Sequence, residues 1–280
     1  MLLGAHVSTA GGMPKAIDQA EDLKCEAIQV FTRNQRQWSP PPLSPDSIDE
    51  FRRRAAKRGY LKHAVSHASY LINLAATDPV TLDRSRAAFV DEIERCAALG
   101  IPYTCLHPGS HLGEGEEAGL AAIAENLRWV LGMTRGKRVT VLLENTAGQG
   151  TNLGWRLEHL RDLIVAVKSK RVAVLIDTCH LFAAGYDFRT TKQYDATLGA
   201  MDAVIGLERI RAFHLNDSKH ECGSKKDRHE NIGKGAIGEA AFRRLVREPR
   251  FAELPGLLET PGAPEGYRAD LATLSRLRGK

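Results

Sequence analysis

With 280 residues, 43% of them hydrophobic and 26% charged, the chain carries enough apolar material for a large core and has an ordinary length for one α/β barrel. No apolar run approaches the roughly 18 to 20 residues of a membrane span, and the start "MLLGAHVSTAGGMPKAI" lacks a secretory signal's charged lead and apolar centre, so neither membrane nor export is expected and the protein reads as cytoplasmic. The formal charge of +5 permits a nucleic-acid partner without requiring one, and five scattered cysteines with no C-x-x-C pair argue against both a disulfide framework and a thiolate zinc site.

Short β-like runs alternate with longer helical ones from end to end, with no linker, repeat or shift in composition, which predicts a single domain over residues 1–280. In chain order the strand candidates are "LLGAHV", "AIQVFT", "HAVSH", "YTCLHP", "VTVLLEN", "VAVLIDT", "RIRAFHL" and "LPGLLET". Stretches such as "DPVTLDRSRAAFVDEIERCAALG", "GLAAIAENLRWVLGM" and "RLEHLRDLIVAVK" lie between them, with apolar residues at three- and four-residue spacing. Eight such units predict a closed (β/α)8 barrel of the TIM type. A doubly wound open sheet is the alternative, but no G-x-G-x-x-G follows the first strand. The proline-rich "PPPLSP" at 40–45 reads as an extended connector before a helix from Ser47.

In such a barrel the reacting groups stand at the C-terminal ends of the strands. Strand three ends at His67, four at His107, five at Glu144, six at Asp177, seven at His214 and eight at Glu259. With 34 acidic residues and 10 histidines in the chain, six such endings would arise by chance on the order of once in 10⁴ to 10⁵ cases, before discounting freedom in choosing the ends. Any one of them alone is more simply a structural histidine, a helix cap or an ion-pair partner. Together at one barrel mouth they would repel or demand neutralisation unless cations held them.

The loop after strand seven, "HLNDSKHECGSKKDRHENIGKG", is too polar for core and adds Asp227 and His229 at a spacing that directs both side chains to one ion. "DTCH" adds His180. Imidazole and carboxylate without thiolate suit zinc and permit manganese or iron. Nine candidate ligands exceed what one zinc uses, which calls for two metals with room for a third. The lysines and Arg228 of this loop are solvated charges or phosphate contacts.

Long motifs then carry a resemblance: "GAHVSTAGG", "FTRNQRQW", "HASYLINLA", "HPGSH", "LENTAGQGTNLG", "IDTCHLFAAGYD", the loop just quoted, and "LET". From residue 4 to about 260 the chain resembles the endonuclease IV family of abasic-site DNA repair enzymes. The resemblance implies a trinuclear zinc site, with Mn2+ allowed at one or more positions. It assigns His67 and His107 to the first ion with Glu144 as bridge to the second, Asp177, His214 and Glu259 to the second, and His180, Asp227 and His229 to the third. It further implies a monomer acting on duplex DNA that contains abasic sites. Hydrolysis 5′ to the lesion, with metal-bound hydroxide as nucleophile and Glu144 as the catalytic carboxylate, would leave a 3′-hydroxyl and a 5′-deoxyribose phosphate. Arg36 and Gln37 after strand two, and Tyr70 and Leu71 after strand three, match the positions that probe the duplex, although Tyr70 and Leu71 also suit ordinary packing at a helix start.

Two rivals remain at this level. A sugar isomerase or epimerase on the same kind of barrel explains the strand-end carboxylates but not "DRH" in a lysine-rich loop or "NQRQW". A DNA-binding protein with purely structural metals is disfavoured by a ligand set without cysteine. No marker falls on the segment "PGAPEGYRADLATL", so the C-terminal helix has no assigned role.

Overall fold

A computed structural model, which describes residues 1–279, closes eight parallel strands into a barrel in strict chain order. The strands are β1 (Leu2–His6), β2 (Ala27–Val30), β3 (Val65–His67), β4 (Tyr103–Leu106), β5 (Thr140–Glu144), β6 (Val172–Asp177), β7 (Ile210–His214) and β8 (Pro255–Leu258). Each pairs with the next and β8 returns to β1, with Leu3 opposite Gly256. His107 and Glu259 stand one residue beyond the last ladder position of their strands rather than within them. An irregularity in the β6–β7 register pairs Val174 with Ile210 but Leu175 with Ala212, and so brings Asp177 level with His214.

The outer layer comprises α1 (Met13–Asp22), α2 (Pro45–Lys57), α3 (Pro79–Leu99), α4 (Glu116–Met133), α5 (Leu157–Val167), α6 (Thr178–Ala183), α7 (Thr191–Val204), α8 (Glu239–Arg247) and α9 (Glu265–Arg278). Local chemistry sets several of their ends. Asp78 caps α3 by accepting the Thr81 amide at 2.8 Å, Pro79 follows at the first turn, and Gly100 stops the helix in the left-handed region at φ 74°. Ser44 caps α2, so this helix begins at Pro45, two residues ahead of the expected Ser47. None of the described helices is long and apolar enough to cross a membrane.

The core has two parts that follow the strand period of two. Ala27, Val65, Cys105, Leu142, Ala173, Leu175, Ala212 and Leu257 fill the barrel interior, while their neighbours, among them Ile28, Val141, Leu143, Val174, Ile176 and Phe213, pack under the helices. Gly4 is needed where β1 and β2 approach, because a Cβ there would fall 1.9 Å from the Ala27 carbonyl oxygen.

Candidate metal centre

The interior alternation decides which side chains enter the barrel mouth. Leu142 points inward, so Glu144 does too; by the same step Val65 leads to His67, Cys105 to His107, Leu175 to Asp177, Ala212 to His214 and Leu257 to Glu259. The six residues expected at strand ends therefore converge above the apolar interior. His180 reaches the same space from the first turn of α6, and Asp227 and His229 from the loop after β7, where Asp217–Ser218 pairs with His229–Glu230 in a short antiparallel ladder.

Three groups without a thiol bring their ligand atoms within 4.8 Å of one another: His67, His107 and Glu144; Glu144, Asp177, His214 and Glu259; His180, Asp227 and His229; two more include Cys105 or Cys179. Glu144 belongs to two of the three thiol-free groups. Its Oε2 lies 3.4 Å from His67 Nε2 and 3.3 Å from His107 Nε2, and its Oε1 lies 3.0 Å from His214 Nδ1 and 3.3 Å from His180 Nδ1. Asp227 Oδ1 lies 3.2 Å from His180 Nε2 and 3.4 Å from His229 Nε2.

Those two Nε2 atoms are buried and make no hydrogen bond, although a carboxylate oxygen faces both. Imidazole nitrogens and an oxygen that face one another without hydrogen-bond alignment are disposed as ligands of a shared cation, and an all-nitrogen-and-oxygen set fits zinc or manganese. The thiols do not compete. Cys105 is held well above its ordinary range by burial and by Glu144, so it remains a thiol and donates to Glu144 Oε2 at 3.0 Å. Burial pushes Cys179 up to about 12.

The electrostatics show how much positive charge the mouth demands. Burial alone would raise Glu144, but the imidazoles of His214 and His107 outweigh it and hold the carboxyl well below the usual range. Glu259 is depressed in the same way by His214 and His6. Burial would lower His214, yet Glu259 and Glu144 push it up to about 9. Asp227 falls to about 2 because His180 and His229 overcome its burial. The raised His214 can carry a proton that offsets Glu144 and Glu259, and a cation bound there would displace it.

Four further residues complete this site: three are amides that do not titrate, and the fourth, His6, is passed over at strand ends because the first strand candidate runs on to Val7. His6 ends β1 with the same parity as the others, and its Nδ1 lies 3.0 Å from Glu259 Oε1. Gln29, inward on β2, donates to Glu259 at 2.6 Å and faces His214 Nε2 at 2.8 Å through its carbonyl oxygen. Asn145 accepts the Asp177 amide at 2.8 Å, and its own carbonyl faces His180 Nδ1 at 3.0 Å. Asn216 donates to Asp177 Oδ2 at 2.7 Å and accepts the Glu259 amide at 2.9 Å. Such outer partners orient ligands and fix histidine tautomers. The quoted motifs contain His6, Asn145 and Asn216; their place in the barrel, not their type, is what marks them.

The rim carries the other candidates. Arg36 and Gln37 are exposed, Tyr70 is 68% exposed, and Leu71 is half-buried beside it. No helix starts at Tyr70; the chain turns there and α3 begins only at Pro79, which removes the helix-start explanation for these two side chains. The loop after β2 is fixed from below. The buried Arg33 guanidinium donates to the carbonyls of Gln37 (3.0 Å), Trp38 (2.5 Å) and Ala88 (3.0 Å) and to Asp91 (3.1 Å), while Arg95 donates to Pro41 O (2.7 Å) and Asp91 (2.7 Å). Ser69 Oγ joins the two rim loops by donating to Gln35 O at 2.9 Å. In the loop after β7, Lys225 Nζ stands 4.2 Å over the Trp155 ring and Lys219 pairs loosely with Glu230.

A family model described as a xylose isomerase-like TIM barrel matches residues 17–277. The chain is 46% identical over 276 residues to a probable endonuclease 4 of Chloroflexus aurantiacus, covering 98% of this chain and 96% of that one. The crystal structure of endonuclease IV from Thermus thermophilus superposes with a TM-score of 0.89 at 35% identity, covering 99% of this chain and 98% of that one. A D-tagatose 3-epimerase-like protein superposes with a TM-score of 0.73 at 17% identity, over 99% and 98% of the two chains, a likeness of fold alone.

Proposed function

The chain belongs to the endonuclease IV family, and from that premise we propose that it hydrolyses duplex DNA on the 5′ side of abasic sites, leaving a 3′-hydroxyl and a 5′-deoxyribose phosphate. The observation that carries this reading is the position of Glu144, buried at the centre of the mouth and shared by two of the three ligand groups. His67, His107 and Glu144 would hold one zinc, Glu144, Asp177, His214 and Glu259 a second, and His180, Asp227 and His229 a third, with manganese acceptable at one or more of them. When bound, such ions make hydroxide available at neutral pH and neutralise a phosphodiester and its departing 3′-oxygen.

The chain's own groups supply the rest. A Glu144 oxygen would take or orient the proton of the attacking water. His6 and Gln29 hold Glu259, and Asn216 holds Asp177, so that the carboxylates face the mouth rather than solvent. A stacked duplex cannot deliver a backbone phosphate to a buried mouth, so the lesion must be extruded. Arg36, Gln37, Tyr70 and Leu71 stand on the rim where they would enter the helix and fill the gap of the lost base, the exposed Tyr70 ring serving as a stacking surface. We assign the protein a monomeric, cytoplasmic role on DNA.

A sugar epimerase shares the barrel, but the epimerase likeness stays at 17% identity while the Chloroflexus aurantiacus endonuclease reaches 46%. The discriminating experiment is incision of a duplex containing a tetrahydrofuran abasic analogue, which a β-eliminating lyase cannot cleave. A nicked product with a 3′-hydroxyl supports the reading; an uncut duplex in the presence of zinc-loaded protein refutes it.

A further inference from the structure

The segment that delivers Asp227 and His229 is clamped by two buried carboxylates outside the ligand groups. Asp217 accepts the backbone amides of Ser218 (2.8 Å), Gly233 (2.9 Å), Ile237 (2.9 Å) and Gly238 (3.3 Å), which ties the far end of the loop to its near end. The second clamp comes from the last helix. Asp270 on α9, 2% exposed, accepts the Ile232 amide on Oδ1 at 3.0 Å, and Asn231 Nδ2 at 2.9 Å and Thr260 Oγ1 at 2.6 Å on Oδ2.

The donors identify what this carboxylate joins. Asn231 and Ile232 follow His229 by two and three residues, and Thr260 directly follows Glu259. Asn231 Nδ2 also reaches Pro261 O at 3.1 Å, and His229 Nδ1 faces Glu259 O at 3.2 Å. One carboxylate thus fastens the His229 loop to the Glu259 turn, and these two residues belong to different ligand groups. We propose that Asp270 is a positioning residue that locks these two loops together, so that the C-terminal helix, as well as the barrel, sets how firmly the cluster retains its metals. The inference rests on the metal reading above.

The chemistry of the clamp defines its test. Three donors converge on two oxygens, so Asp270→Asn keeps the shape but turns an amide NH2 toward donors and leaves them unpaired in a buried place. Partners at this distance from a metal shift its affinity by roughly 10- to 100-fold. In zinc-loaded protein well below its melting transition, release to a colorimetric chelator should be at least about tenfold faster in Asp270→Asn. Thr260→Val, which removes one donor, should give a smaller acceleration of the same kind. Leu274→Ala, which removes buried packing from the same helix but none of these bonds, should release zinc at the wild-type rate. Wild-type release from Asp270→Asn, or equal acceleration in Asp270→Asn and Leu274→Ala, would overturn the proposal. Hydrogen exchange provides an arm independent of metal. In chelated protein the Ile232 amide should exchange about tenfold faster in Asp270→Asn, because its acceptor is no longer held in place; unchanged exchange overturns the anchor. A wild type that binds no zinc refutes the metal reading itself, and exchange at Ile232 still decides whether Asp270 fastens the loop.

Discussion

The Asp177 carboxylate caps the helix that carries His180: its Oδ1 accepts the His180 amide at 2.8 Å while Oδ2 faces the ligand cluster, 3.7 Å from His214 Nδ1 and 3.7 Å from His229 Nε2. A helix cap and a candidate ligand are usually competing explanations for an aspartate at a strand end, and here one side chain serves as both because its two oxygens point different ways. Substitution separates the roles. Asn caps about as well as Asp, whereas Ala costs about 1 kcal/mol at such a position. Asp177→Asn should therefore keep the helix cap and the fold yet lose at least one metal equivalent by elemental analysis. Full metal content in this variant would remove Asp177 from the ligand set.

The response to pH should reverse when metal is removed. His214 is raised from 6.5 to about 9 by Glu259 and Glu144 against its burial, so its stabilising contribution in chelated protein is complete below pH 6.5 and is lost as pH rises through about 9. Asp227 is lowered from 3.8 to about 2, so its contribution is complete above 3.8 and is lost as pH falls through about 2. Chelated protein should thus be most stable between these windows and weaken from pH 7 to 9. Zinc needs unprotonated imidazoles, so loaded protein should gain over the same interval. Melting curves of both forms from pH 5 to 9 test this, and parallel trends would show that the histidines do not exchange protons for metal.

The barrel and its mouth were legible because two signals reinforce each other: strand runs bounded by polar residues, and acidic or imidazole side chains at their ends. The inward direction of Glu144 follows from Leu142 two residues earlier, which needs only the strand period. Gln29 was invisible by type, since an amide neither titrates nor ranks as a usual ligand; only the closed barrel places it between Glu259 and His214. Asp270 was invisible by distance, because its partners lie up to 39 residues away in sequence and nothing in "PGAPEGYRADLATL" predicts them. Contacts fixed by tertiary closure leave no periodic trace.

Arg33 lies in the quoted "FTRNQRQW" yet points away from the rim, with its side chain fully buried. It holds the carbonyls of Gln37 and Trp38, and removing it takes the donor from both, at about 1 to 3 kcal/mol for each one left buried and unsatisfied, while the half-exposed Asp91 keeps Arg95 at 2.7 Å. Arg33→Ala should loosen residues 34–41 and weaken affinity for abasic duplex roughly tenfold or more, with metal content unchanged because no ligand lies on this loop. Protease nicking within 34–41, paired with a duplex titration, reads both effects. Unchanged affinity in a protein nicked at that loop would mean that Arg36 and Gln37 do not contact DNA.

Glu144→Gln is the most demanding test of the mechanism. The residue ends β5 above Leu142, is fully buried, and faces His67, His107, His180 and His214 at 3.0 to 3.4 Å. Glutamine has nearly the same volume, and the apolar barrel beneath is untouched, so the fold should persist. Its amide nitrogen would turn a donor toward two of those imidazoles, and its single oxygen could not serve both ligand groups or take a proton from water. Incision should fall by at least about 10³-fold, which corresponds to roughly 4 kcal/mol of lost transition-state stabilisation. Binding depends on exposed groups at the rim, Arg36 and Tyr70 among them, and on the lysines after β7, so affinity for abasic duplex should stay within roughly tenfold. Single-turnover cleavage and a gel-shift titration on one substrate separate the two quantities. Near-normal cleavage would exclude Glu144 from the chemistry. Joint loss of cleavage and binding in a folded variant would instead place the cluster in the organisation of the DNA surface.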